Sequence, residues 1–348
     1  MTGVSRRSNR KAGLRVVRGA LAVACLALFA LVAACGGNAS TPRPAAAPSG
    51  VSSSGVSAAQ QAPAESAPPA NKTGGFDGAK AYEYTQKLVS FGPRPPDSDA
   101  IRRTQQYIEA QLKGFGCPVD TDDFHAGTPV GNLAMKNIVV KIPGKGSGII
   151  LLLTHYDTVR VENFVGAEDG GSSTGLMLEM ARLLCGKKGA HAVWIAFLDG
   201  EEAQLVENGQ AQWTAADSDY GSRELAARMA VSGDLKRVKA VILADMVGQY
   251  DLRLQREANS AKWLADLVWS TAARLGYKDV FVSSEQGAVD DDHRPFFQRG
   301  VPTVDVIDLN GYPAWHTAQD TMDKISPRSL AIVGHVILES VAELQKRP

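Results

Sequence analysis

Apolar residues in this chain fall into short unbroken runs, separated by stretches in which they recur at helical spacing. Strands are expected over 135–142, 149–154, 192–198 and 238–244. The middle two runs are continuously apolar, the pattern of strands covered on both faces. Helices are expected over 76–88, 171–184, 222–229, 260–275 and 327–345. A further helix starts at Ser98 or Asp97, carries Ile101, Ile108 and Leu112 on one face, and stops at Gly114 or Gly116. Ahead of it, Phe91-Gly92-Pro93-Arg94-Pro95-Pro96 reads as a rigid turn, because each proline fixes its own φ and restricts the residue before it. Buried strands alternating with helices predict an α/β domain built in three layers, α/β/α. Sites in such sheets form outside the carboxyl ends of the strands.

The N-terminal part departs from this pattern. Arg6, Arg7, Arg10, Lys11, Arg15 and Arg18 precede an apolar stretch over 20–32, which is short for a membrane span and suits a signal segment. Val32-Ala33-Ala34-Cys35 resembles the bacterial lipobox, whose cysteine is lipidated and becomes the mature N-terminus. The alternative is an ordinary cleaved signal with a chance cysteine. Residues 1–34 are therefore expected to be a lipoprotein signal peptide. Residues 35–74 are expected to be a disordered tether of Ala, Ser, Pro and Gly that buries too little to offset chain entropy. The folded domain is then 75–348. The chain is expected to be exported and held at a bacterial membrane, periplasmic or cell-surface, by its lipid alone, as a monomer. Lys plus Arg and Asp plus Glu both number 37, so the charge balance lacks the basic footprint of a nucleic-acid partner. Beyond Cys25 and Cys35, only Cys117 and Cys185 remain. A disulfide between them and a buried free thiol at Cys185 are both open.

The chemistry gathers where the runs end. Thr154-His155-Tyr156-Asp157, Asp199-Gly200-Glu201-Glu202 and Ala244-Asp245 each follow a strand, and Gly166-Ala167-Glu168-Asp169 stands at a helix entrance. Asp291-Asp292-His293 and Trp315-His316-Thr317 lie further on. Nitrogen and oxygen donors of this kind suit a borderline cation such as zinc, with a position left open for substrate. In an extended backbone His155 and Asp157 point the same way. Of the adjacent pair Glu201 and Glu202, one can bind a metal while the other handles protons. Against each stands a plainer role: Asp169 as a helix cap, Glu201-Glu202 as a solvated turn, Asp291 as an exposed loop, Trp213 and Trp315 as packing.

Taken together, these residues resemble the zinc-dependent M28 peptidase superfamily, and within it the animal-type glutaminyl-peptide cyclotransferases. The resemblance spans roughly 77–346. It rests on Asn137-Ile138, His155-Tyr156-Asp157, Asp169, Asp199-Gly200-Glu201-Glu202, Gly221-Ser222, Asp245 and His316-Thr317. The cyclase branch is favoured by Asp291-Asp292-His293-Arg294-Pro295-Phe296, where the peptidases carry Ser or Thr in place of Asp291, and by Trp315 before His316. Trp213 with Asp217-Ser218-Asp219-Tyr220-Gly221-Ser222-Arg223, and Phe124-His125-Ala126-Gly127-Thr128-Pro129, are also similar. Glu207-Asn208-Gly209 is an addition to the pattern.

The resemblance implies a central mixed, mostly parallel sheet of the zinc-aminopeptidase type. It implies zinc on Asp169, Glu202 and His316, Glu201 as proton shuttle, and Asp245 with Asp291 in a hydrogen-bond network around the reacting carbon. Trp213 and Trp315 would wall the substrate pocket. The substrates are N-terminal glutamines of peptides or proteins, converted to pyroglutamate with loss of ammonia. A zinc aminopeptidase with two metal ions is the alternative, its second ion held by His155 and Asp245. A non-catalytic binding module would have lost a ligand or the base, and none is missing.

Overall fold

The computed structural model describes residues 66–347, so the expected signal segment, Cys35 and most of the expected tether lie outside the described residues. Packing begins a little before residue 75. Ala70–Lys72 form a 3-10 turn, and the hydroxyl of buried Thr73 reaches the carbonyls of Ala70 and Phe76. In chain order the elements are α1 (Gly78–Val89), α2 (Asp99–Gly114), β1 (Val119–Thr128), β2 (Gly131–Ile142), β3 (Ile149–His155), α3 (Ser173–Leu184), β4 (Ala192–Leu198), β5 (Val206–Glu207), β6 (Gln210–Ala211), α4 (Tyr220–Ser232), β7 (Val238–Asp245), β8 (Leu254–Arg256), α5 (Lys262–Arg274), β9 (Phe281–Glu285), α6 (Arg294–Phe297), β10 (Thr303–Ile307) and α7 (Pro327–Leu344).

Six strands form the central sheet in the order β1-β2-β4-β3-β7-β10. β4, β3, β7 and β10 run parallel, and β2 and β1 add an antiparallel hairpin at one edge. The sheet is thus mixed and mostly parallel, as expected. Successive side chains of a strand point to opposite faces. Ile150, Leu152, Ile195, Phe197 and Ile242 enter one core with α1, α2, α3, α5 and α7. Leu151, Leu153, Trp194 and Leu243 enter the other, against Leu225 and Met229 of α4 and Phe296 of α6. Both faces are covered, which is why β3 and β4 are buried at every position.

Two strands of the central sheet escaped the sequence pattern. β1 is an edge strand with a mostly exposed, acidic stretch, so it has no apolar run to reveal it. β10 is interrupted by Asp305, buried in mid-strand. Helix starts follow the local chemistry: Ser98 accepts the N–H of Ile101 at 3.0 Å, and Asp77 accepts those of Ala79 and Lys80. Asp169 does not cap α3, whose N-cap position is Ser172.

Cys117 and Cys185 are joined as a disulfide, their Cα atoms 5.2 Å apart, so the free-thiol alternative does not hold. The bridge closes a loop with a sequence separation of 68, tying the turn after α2 to the end of α3. Removing it by Cys185→Ser is expected to cost roughly 3 kcal/mol of stability, chiefly by freeing the unfolded chain. Urea unfolding of the variant against the oxidised wild type measures this; coincident midpoints would mean the bridge adds nothing. No helix among the described residues is long and apolar enough to cross a membrane.

Candidate active site

Cys35 aside, which lies outside the described residues, the expected site residues collect at the carboxyl ends of β3, β4 and β7 or in the loops beside them. β3 ends at His155 and continues into Asp157, whose carboxylate accepts the N–H of Glu201 (3.1 Å) and Glu202 (3.4 Å). That bond pins the loop after β4 to the end of β3. His155 Nδ1 lies 3.5 Å from Asp157 Oδ1, so the two do face the same place. Asp169 sits in a tight turn where Gly170 takes φ 73°. A Cβ at Gly170 would stand 2.9 Å from the His155 ring, so only glycine lets the turn close on the histidine. His316 holds a left-handed φ of 53°, stacked on Trp315 with ring centroids 4.1 Å apart and met edge-on by Phe164. Met246, next to Asp245, is left-handed as well. Such conformations cost energy and gather at functional sites.

Asp169, Glu202 and His316 bring ligand atoms within 4.8 Å of one another. His316 Nε2 is 3.1 Å from Glu202 Oε2 and 3.3 Å from Asp169 Oδ2. Both Glu202 oxygens and Asp169 Oδ2 are buried without a well-aligned hydrogen-bond donor. Burial alone would discharge His316, yet Glu202 and Asp169 outweigh it and push the imidazole up to about 10. Burial pushes Glu202 up to about 7, against the pull of His316. Orphaned oxygens and a histidine driven to hold charge mark a site that calls for a cation. Two carboxylates and an imidazole fit zinc, leaving the fourth position open.

A second group shares Asp169. His155 Nε2 lies 3.2 Å from Asp169 Oδ1 and 3.1 Å from Asp245 Oδ1, and these three also fall within 4.8 Å. Asp169 thus turns one oxygen to each group. A third group, Asp291, His293 and Asp305, is buried, with Asp291 on the pocket wall.

Above the ligands opens a cavity of about 300 Å3 lined by Glu201, Trp213, Asp245, Asp291 and Trp315, with Met246, Val289, Ile307 and Leu309 as apolar wall. Glu201 Oε2 is 3.9 Å from His155 Nδ1. Its carboxyl is pushed well above the usual range by burial, which His155 opposes and Glu202 and Asp291 reinforce. Asp291 is pushed up by burial and then by Asp305 and Asp245. Asp245 faces His155, whereas Asp291 Oδ1 accepts the N–H of Asp292 at 2.6 Å, so the two carboxyls are neighbours without a mutual hydrogen bond. The added residues 207–209 form the tip of the β5–β6 hairpin, with Asn208 and Gly209 both left-handed, and Trp213 still reaches the cavity. Phe124 and His125 lie on β1 and do not line it.

Several supports were not anticipated. Asp320 accepts the N–H groups of Glu168 and Asp169 and the hydroxyl of Tyr312, orienting the turn that carries Asp169. Glu168, buried, accepts the N–H of Gly248 at 2.8 Å. Arg94, also fully buried, donates to the carbonyls of Tyr156, Val165 and Gly166. Burial lowers its pKa to about 10, but the guanidinium stays charged and supplies a fixed cation near four carboxylates.

A buried carboxylate–histidine cluster at the carboxyl ends of a parallel sheet, under an apolar cavity, defines a metalloenzyme of the α/β/α class. The chain belongs to peptidase family M28, whose model matches residues 137–341. It is 31% identical over 282 residues to the glutaminyl-peptide cyclotransferase-like protein of Mus musculus, covering 72% of each chain. The glutaminyl cyclase of an Acidobacteriales bacterium superposes with a TM-score of 0.73 at 40% identity, covering 83% of this chain and all (100%) of that one. A Zn-dependent exopeptidase from Parabacteroides distasonis superposes with a TM-score of 0.71 at 28% identity, covering 78% and 99%.

Proposed function

We propose that this chain is a zinc-dependent glutaminyl-peptide cyclotransferase, which closes an N-terminal glutamine to pyroglutamate and releases ammonia. The observation that carries this reading is Asp291, a buried carboxyl on the cavity wall beside Glu201, where the peptidase pattern has a hydroxyl. Asp169, Glu202 and His316 would hold zinc. When bound there, zinc supplies Lewis-acid polarisation of the substrate's γ-carboxamide. The α-amine nitrogen attacks the carboxamide carbon, a C–N bond forms, and the bond to the amide nitrogen breaks. Glu201, with its raised proton affinity, takes the proton from the attacking amine and delivers it to the departing nitrogen. Asp245 and Asp291 surround the tetrahedral carbon with carboxyl groups disposed to hold protons. Trp213 and Trp315 keep water from the carboxamide, which disfavours simple hydrolysis.

The second reading, a two-metal aminopeptidase, is supported by the His155–Asp169–Asp245 group. The discriminating experiment is incubation of the zinc-loaded protein with a peptide beginning with glutamine, followed by mass spectrometry. Loss of ammonia with the peptide otherwise intact supports the cyclase; release of free glutamine sinks it in favour of the peptidase.

Trp315, 42% exposed at the cavity mouth, offers a flat apolar face to the substrate. Trp315→Ala is expected to lower kcat/KM about tenfold, roughly 1.4 kcal/mol, mostly through KM. Unchanged steady-state constants would reduce Trp315 to packing. The chain is further read as an exported lipoprotein anchored through Cys35, a reading the Cys117–Cys185 bridge supports because disulfides persist in oxidising compartments. Labelled palmitate should enter the wild type in bacterial cells and not Cys35→Ser; equal labelling of both would refute the anchor.

A further inference from the structure

The molecule is electrically polarised along its strands. The carboxyl ends carry the acidic site, and the loops feeding the amino ends of the parallel strands are basic. Lys145 precedes β3, Lys187 and Lys188 precede β4, Arg237 precedes β7, and Lys346 and Arg347 follow α7; all six are exposed. These loops form one continuous surface. Lys145 and Gly146 donate their N–H groups to the carbonyls of Gly189 and Ala190. Arg237 donates to the carbonyl of Ser147, and His191 bonds Gln345 and Arg347. Arg237 is paired with Asp234 and Lys346 with Glu343, but Lys145, Lys187 and Lys188 form no ion pair among the described residues. A cavity of about 330 Å3 opens beside Lys187 and Lys188, floored by Ile142, Leu184, Val193 and Val341, with Glu339 the acidic residue on its rim. Gly74 also lines this cavity.

We infer that this basic face docks on a membrane leaflet carrying anionic phospholipid, which turns the catalytic cavity away from the membrane and towards its peptide substrates. Charge complementarity supports the choice of partner: unpaired lysines near an anionic surface are attracted to it over about a Debye length, and an apolar hollow beside Lys187 and Lys188 suits a lipid headgroup and upper chain. The inference stands apart from the reaction and from acylation of Cys35.

The test is sedimentation of the chain from residue 35 onward, carrying Cys35→Ser so that neither the basic N-terminal segment nor a lipid is present, with phosphatidylglycerol or phosphatidylcholine vesicles. Binding to the anionic vesicles alone is expected, weakening with salt and falling at least about tenfold in the double variant Lys187→Glu, Lys188→Glu. That variant should keep wild-type turnover of a soluble peptide, since both lysines lie at the opposite end of the sheet from the cavity; this also certifies its fold. Equal binding to both vesicle types, no binding to either, or anionic binding indifferent to the double reversal would overturn the inference. So would retention on an immobilised acidic polymer such as RNA without vesicle binding, which would assign the face to a different partner.

Discussion

Replacing Glu201 by glutamine is expected to lower kcat about a thousandfold while zinc content stays at the wild-type level. The substitution keeps the side chain's shape. The loop is held through the Glu201 backbone N–H by Asp157, and that bond survives. The atoms proposed to hold the metal belong to Glu202, Asp169 and His316, so the cation site should be unaffected. What disappears is a buried carboxylate able to accept a proton from the α-amine and return it to the leaving nitrogen. General acid–base catalysis of this kind contributes on the order of 10² to 10⁴ in rate, and a thousandfold loss corresponds to roughly 4 kcal/mol. Steady-state kinetics on a glutaminyl peptide, with metal analysis of the same preparation, reads both quantities. Full turnover in Glu201→Gln would sink the cyclase and the peptidase mechanisms together. Lost turnover with lost zinc would instead move Glu201 among the residues that build the metal site.

The catalytic end was legible because strand runs and chemistry adjoin. An unbroken run such as 192–198 has the length and pattern of a strand covered on both faces, and the polar residue that follows such a strand emerges at the sheet's carboxyl end. That logic located His155, Glu201, Glu202 and Asp245 without coordinates, and the fold brings them together. The residues that hold the site in shape were invisible for a physical reason. Asp320 and Arg94 act on backbone N–H and carbonyl groups, and a backbone partner leaves no mark in the sequence. The apolar lining, Met246 and Ile307 among it, looks like core until the fold shows it facing a cavity. β1 and β10 were missed for opposite causes, one too polar and exposed, the other broken by a buried aspartate.

That same aspartate belongs to the surroundings of Asp291, where the second large effect is expected. Asp291→Ser should lower the rate of cyclisation by about two to three orders of magnitude, in keeping with removal of a preorganised hydrogen-bonding group from a transition state. Burial, then Asp305, Asp245 and Asp292, push the Asp291 carboxyl well above the usual carboxylate range, so it is disposed to keep its proton and donate it in a hydrogen bond. Serine can also donate, but its hydroxyl is shorter and leaves a gap on the wall beside Glu201. Asp291→Asn separates the two contributions, since the amide matches the carboxyl in size and donates without exchanging a proton. If donation is the whole role, Asn retains most of the activity that Ser loses. If the proton must leave Asp291 during the reaction, the two variants fail alike. Wild-type kcat in Asp291→Ser would remove the residue from the mechanism. The distinction from the peptidase pattern would then rest on Trp315 and the pocket it walls.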